Sequence, residues 1–165
     1  MRCMPKLIPL TNGKFATVDD EDFNWLSQWD WYALKTSSDS IFYAVRTENG
    51  ASIRMHRLIN GTTDDMFTDH RDGDGLNNQR YNLRTATPLQ NMMNRRGKRG
   101  GTSSFKGVFF DPTPQRKQWR AAIRLDGKLK YLGRFYTDDE AGSAYAAAAR
   151  EYFGEFSRAT PGVPK

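Results

Sequence analysis

The sequence predicts an α+β fold assembled from small antiparallel sheets and short helices. Three observations carry this reading. The apolar runs are short and closed by turn signals, among them Glu48-Asn49-Gly50 and Asp126-Gly127. Two stretches carry the reciprocal grammar of a helix start, Thr87 with Gln90 and Thr137 with Glu140. Between these signals, from Asp69 to Asn82, lies a segment poor in apolar residues and rich in Asp, Asn and Gly.

Composition bounds what such a chain can be. At 165 residues, 38% hydrophobic and 13% aromatic, it has material for one ordinary domain or two small ones and is not a disordered chain. The single cysteine, Cys3, excludes a disulfide within the chain and any cysteine-based zinc site. No long apolar run and no signal-peptide pattern is present, so the expectation is a soluble cytoplasmic monomer with no membrane association and no required protein partner. Only His56 and His70 are available for histidine chemistry.

Charge is unevenly placed. Residues 1–60 hold seven basic and seven acidic side chains; 61–94 hold three against five, as do 135–165. Residues 95–134 hold twelve Lys and Arg against Asp111 and Asp126, a local balance of +10 on a chain whose total is +6. A basic window interleaved with aromatics is the footprint of a phosphate-binding surface. A solvated, solubilising face is the alternative.

In order along the chain, residues 1–59 read as a β-rich subdomain with one helix. Asp19 or Asp20 can cap a helix through Phe23, Trp25, Leu26 and Trp29. Ile41 to Arg46 and Ser52 to Met55 flank an Asn-Gly turn and read as a hairpin. Trp25, Trp29, Trp31 and Tyr32 are expected in the core. His56 stands in a run alternating with apolar residues and is expected to be structural, with an approach to the site as the alternative.

Residues 60–94 read as a strand, a polar loop and a short helix, with Thr87 as N-cap, Pro88 at the first helical position and Gln90 closing a capping box. Such a unit can bring Asp69 at the strand end and Asn91 in the first helical turn to one point. Their hard oxygens suit Mg²⁺ or Mn²⁺, and so small a ligand set leaves positions open for phosphate and water. His70 could reach the same place if the strand bends, and would then serve as general base. An EF-hand is excluded, because the twelfth loop position after His70 is Tyr81 rather than Glu. Composition alone leaves a plain turn-forming role for these residues open.

The pattern Met55-His56-Arg57-Leu58-Ile59, Asp69-His70, Leu76-Asn77-Asn78, Asn82-Leu83-Arg84 and Gln90-Asn91 resembles the HNH homing endonucleases of phages and mobile introns, in the variant whose last motif residue is Asn. The resemblance implies a ββα-metal (His-Me finger) catalytic unit. It implies one divalent cation, Mg²⁺ or Mn²⁺, on Asp69 and Asn91, His70 as general base, and Asn82 holding the catalytic loop through its backbone. It further implies stabilisation of the leaving 3′ oxygen, 5′-phosphate and 3′-hydroxyl products, and nicking of one strand. Arg71, Arg80 and Arg84 are candidate phosphate contacts.

After a basic linker, 95–102, containing Arg95, Arg96, Lys98 and Arg99, come three strand-like runs, Phe105 to Phe110, Gln118 to Leu125 and Lys128 to Phe135. A helix follows, with an apolar stripe of Ala141, Ala144, Tyr145, Ala148, Ala149 and Tyr152 and a stop at Gly154. A three-stranded antiparallel sheet packed on one helix leaves one sheet face free, and alternation places Arg120 and Arg124 on it. Phe105-Lys106-Gly107-Val108, Trp119 to Arg124, Tyr131 to Phe135 and Thr137 to Tyr145 make residues 103–158 resemble the plant ethylene-response-factor (APETALA-type) DNA-binding domain, with 159–165 as a tail. The resemblance implies that Lys106, Arg124 and Tyr131, then Arg120, Lys128, Lys130 and Arg134, contact double-stranded DNA. Phe109 and Asp111 stand where plant members carry arginine, so the plant target site does not transfer. The expectation is a homing-type, metal-dependent DNA endonuclease. The alternatives are a catalytically inactive sequence-specific DNA-binding regulator and, third, an assembly protein with a basic surface.

Overall fold

The computed structural model describes residues 4–36, 41–94, 102–113 and 116–157. It divides into two units, Met1–Met92 and Met93–Lys165. The architecture is α+β, with several small antiparallel sheets and four helices. Among the described residues, no helix is long and apolar enough to cross a membrane.

In the first unit β1 (Lys6–Pro9) pairs antiparallel with β2 (Phe15–Val18), and α1 (Asp20–Leu26) follows. Asp19 stands at the N-cap of α1 without capping it. Its carboxylate instead accepts from Gln79 Nε2 at 3.0 Å and the Arg80 backbone N–H at 2.8 Å. A long-range partner has taken over the local cap. The helix stops at Leu26, short of Trp29, and Trp31 behind it is fully buried, with its indole N–H donating to the Leu26 carbonyl at 2.9 Å.

β3 (Tyr32–Lys35), β4 (Phe42–Glu48) and β5 (Ala51–Arg54) form an antiparallel sheet in that order. Asn49 and Gly50 take φ of 50° and 78°, the two left-handed positions that an Asn-Gly hairpin turn requires. The run after β5 is a second helix where the sequence predicts only one: α2 (Met55–Asn60) ends at Gly61, which takes φ 60°. Met55 and Ile59, one helical turn apart, are both buried, so tertiary packing of that stripe overrides a segment with no capping signal. β6 (Phe67–His70) pairs antiparallel with β7 (Leu83–Ala86), and α3 (Pro88–Met93) follows. Thr87 and Gln90 exchange both capping-box hydrogen bonds, at 2.8 and 3.2 Å. Residues 1–59 and the later hairpin share one core, in which Leu83 packs with Ile8, Val18, Trp31 and Met55.

In the second unit β8 (Val108–Phe110), β9 (Trp119–Leu125) and β10 (Lys128–Phe135) form an antiparallel sheet with β9 central, packed on α4 (Asp138–Phe153). Thr137 caps α4 by accepting from the Glu140 N–H at 3.1 Å. The buried stripe of α4 runs through Ala141, Tyr145, Ala148, Ala149 and Phe153; Tyr152, expected on it, is 40% exposed. The helix lies close to its neighbours because Gly142 permits it: a Cβ there would meet the Phe105 ring at 2.6 Å.

Candidate active site

The β6–β7 hairpin sets Asp69 opposite Arg84 and His70 opposite Leu83. Directly opposed residues share a face of the pleat, so Asp69 and Arg84 lie on one side and His70 on the core side with Leu83. Asp69 is 6% exposed, and its Oδ2 accepts from Arg84 Nε at 2.8 Å and from a second Arg84 nitrogen at 2.6 Å. Arg84, expected as a phosphate contact, is instead buried in this ion pair, because leaving either charge alone in the hairpin would cost several kcal/mol.

His70 ends β6 and the chain turns at once, with Gly73 N–H donating to the His70 carbonyl at 2.9 Å. The His70 ring is 4% exposed. Its Nε2 lies 3.3 Å from Asn78 Oδ1, and its centroid is 4.9 Å from His56 and 5.7 Å from Tyr43. Burial pulls the His70 pKa below the ordinary imidazole value, against the opposing effects of the Asn78 hydrogen bond and the charges of Asp72, Asp69 and Asp74. His56, on α2, is held lower still, by burial first and then by His70, Arg54 and Arg57. His56 Nδ1 is buried and makes no hydrogen bond among the described residues. His56, expected to be structural with an approach to the site left open, and Asn78, quoted only within the motif, are both set against His70 by the tertiary packing.

Between the strands, the loop is organised by Asn82, 1% exposed, in a single 3-10 turn from Arg80 to Asn82. Asn82 Oδ1 accepts from the Asp72 backbone N–H at 3.1 Å, and its Nδ2 donates to Asp72 Oδ1 at 3.0 Å and to the Asn77 carbonyl at 2.8 Å. Asp72 and Asp74 then accept from the backbone N–H two residues on, at 2.8 and 3.0 Å. Gly75 is required by packing: a Cβ there would run into the Phe42 carbonyl and the Tyr43 ring. Thus the loop is pinned to β4, the strand whose Tyr43 also touches His70. Arg80, a second expected phosphate contact, reaches the fully buried Asp22 at 2.7 and 2.8 Å and so ties the loop to α1. Arg71 is exposed at the loop entrance.

Asp69, His70 and Asn82 are therefore held together by one hairpin and its loop. Asn91 lies on α3, which has no buried residue among the described residues. Among the described residues there is no cluster of three or more His, Cys, Asp or Glu suited to a metal. The Asp69 carboxylate is a hard oxygen donor of the kind Mg²⁺ and Mn²⁺ take.

A protein of Acanthamoeba polyphaga mimivirus named as an uncharacterized HNH endonuclease is 30% identical to this chain over 151 residues, covering 88% of the chain and 74% of that protein. The chain belongs to the HNH endonuclease family. A second relative, Protein 3.8 of Escherichia phage T7, is 32% identical over 94 residues, covering 56% of the chain and 74% of its own length. No family model and no solved structure matches the chain. The mimivirus match is longer than the first unit, Met1–Met92, so it extends into the second.

In the second unit of this HNH chain the register sorts the basic residues by face. Phe109, Arg120 and Arg134 oppose one another across the sheet, Ala122 opposes Tyr131, and Arg124 opposes Leu129, all on the face away from α4. Arg120 lies 5.2 Å over the Tyr131 ring and 3.2 Å from Asp111 Oδ2, which also accepts from Arg134 at 2.6 Å. Arg124 is exposed and donates to the Gly127 carbonyl at 2.7 Å. Lys128 and Lys130 instead oppose Leu125 and Ile123, which pack under α4; Lys130 donates to the Tyr152 hydroxyl on that helix. These two lysines leave β10 from the helix side rather than the free face. Lys106, half-buried, donates from Nζ to the Met93 carbonyl at 2.8 Å. Arg95, Arg96, Lys98 and Arg99 lie outside the described residues.

Proposed function

We propose that the chain is a metal-dependent DNA endonuclease of the homing type that hydrolyses one phosphodiester bond and nicks its target. The observation that carries this reading is the juxtaposition of Asp69 and His70 at the end of β6 with a loop braced at three points by Asn82. Family membership supports the nuclease activity. His70 is the general base, its neutral ring favoured by burial, and draws the proton from the attacking water. Asn82 keeps the loop in register so that the water and the phosphate meet His70 in one geometry. Asp69 and Asn91, on a ββα-metal unit made of β6, β7 and α3, would hold one divalent cation, Mg²⁺ or Mn²⁺. When bound, such an ion supplies positive charge at the scissile phosphate and stabilises the leaving 3′ oxygen.

The second unit, in this reading, is an ethylene-response-factor-like reader whose free sheet face, with Arg120, Arg124, Tyr131 and Arg134, lies on duplex DNA. A tethered reader raises the local concentration of the cutting unit at its site. The regulator reading keeps one specific support, the Asp69 carboxylate bound by Arg84 rather than standing apart as a ligand. Incubation of supercoiled plasmid with and without Mg²⁺ or Mn²⁺ separates the two. Relaxed circles that appear only with the ion support a nicking enzyme, linear product a double-strand cutter, and no product the regulator.

A further inference from the structure

Asn78 is fully buried and held from two sides. Its backbone N–H donates to the Thr17 carbonyl on β2 at 2.7 Å, and its Nδ2 donates to the Leu76 carbonyl at 3.2 Å. That carbonyl, which also accepts the Thr17 N–H at 2.8 Å, is an acceptor only. Turning the amide over would place Oδ1 against it, oxygen facing oxygen. The side chain is therefore fixed with Oδ1 toward His70 Nε2, 3.3 Å away. An amide oxygen cannot donate, so a neutral imidazole meets it only by carrying its proton on Nε2.

We propose that Asn78 is a positioning residue that fixes His70 as the Nε2–H tautomer, so that the lone pair able to take a proton from water resides on Nδ1. The inference rests on the reading of His70 as general base. The His56 ring, edge-on at 4.9 Å, and the Tyr43 ring at 5.7 Å restrict rotation of the imidazole away from Asn78. The anchoring comes from β2: Thr17 bridges in parallel to Asn77, so the amino-terminal hairpin, remote in sequence, sets the orientation of His70.

The full chain tests this directly by NMR of the imidazole nitrogens at alkaline pH, with the two histidines assigned by loss of one signal in His70→Ala. The proton is expected on Nε2 of His70; a proton on Nδ1 overturns the proposal. Asn78→Leu removes the acceptor with a side chain of the same branching, and its folded fraction should lose roughly 10- to 100-fold in kcat with KM little changed. Asn78→Asp keeps an acceptor facing Nε2 but sets its other oxygen against the Leu76 carbonyl, so it should recover part of that loss at a lower melting temperature. A purely structural role would lower melting temperature in both variants while leaving kcat per folded molecule at the wild-type value, which overturns the proposal. His70→Ala cutting as well as wild type overturns the base reading and the catalytic role of Asn78 with it, whatever the tautomer.

Discussion

Arginine does different work in the two units. In the first, Arg84 is sealed against Asp69, Arg80 is clamped to Asp22, and Arg57 donates to the carbonyls of Met66, Thr62 and Thr63. In the second, Arg120, Arg124 and Arg134 line the sheet face turned away from α4, beside Tyr131 and Phe109. The first set is structural framework around the hairpin that carries Asp69 and His70; the second lines the sheet face proposed above to meet DNA. Residue type does not separate the two roles. The element each side chain leaves from, and the strand register, do.

The largest expected consequence of that difference is in stability. Arg84→Ala leaves the Asp69 carboxylate buried without its partner and should cost about 3–5 kcal/mol. Arg124→Ala, at an exposed position, should stay within about 0.5 kcal/mol of wild type. Denaturant unfolding of both variants checks this, and equal losses would erase the distinction between the units. Next in size, Asn82→Ala strips the loop of three hydrogen bonds and should cost about 1–3 kcal/mol. Limited proteolysis should then cut between Asp72 and Asn77, where the wild type resists.

How far these features were legible in the sequence follows from their range. The capping box of α3, the Thr137 cap of α4 and the turns at Asn49-Gly50 and Asp126-Gly127 are local devices, each determined within four residues, and they stand where the sequence places them. The Asp69-His70 strand end and the Asn82 loop were legible as a motif with fixed spacing. Helix α2, the His56–His70 contact, the Asn78 amide and the Asp69–Arg84 pair were not. Each depends on elements distant in the chain, β2 for Asn78 and β4 for Tyr43, and no local grammar encodes such a meeting. The basic sheet was legible as a charge window, but assigning Lys128 and Lys130 to the α4 side rather than the free face needed the register of β10, which only the structure provides.

A smaller effect separates the units by pH. Burial holds His56 and His70 below the ordinary value near 6.5, so the folded chain resists protonation there while the unfolded chain accepts it. Stability should be unaffected above that value and should fall as pH drops below it, by at most about 1.4 kcal/mol per pH unit for each histidine. His56→Phe should flatten the slope measured by denaturant unfolding, and an unchanged slope would contradict the burial account. Smallest is the salt dependence of DNA binding. Arg124→Ala should reduce the slope of log K against log salt by about 0.9 if it meets one phosphate. Lys130→Ala, on the α4 side, should leave that slope in place.

Cleavage by the intact His70→Ala chain, measured beside its DNA binding, bears most directly on the central claim. Binding close to wild type is expected, with a loss of nicking of roughly 10²- to 10⁴-fold in the presence of Mg²⁺ or Mn²⁺. Nicking at the wild-type rate by that variant would contradict it.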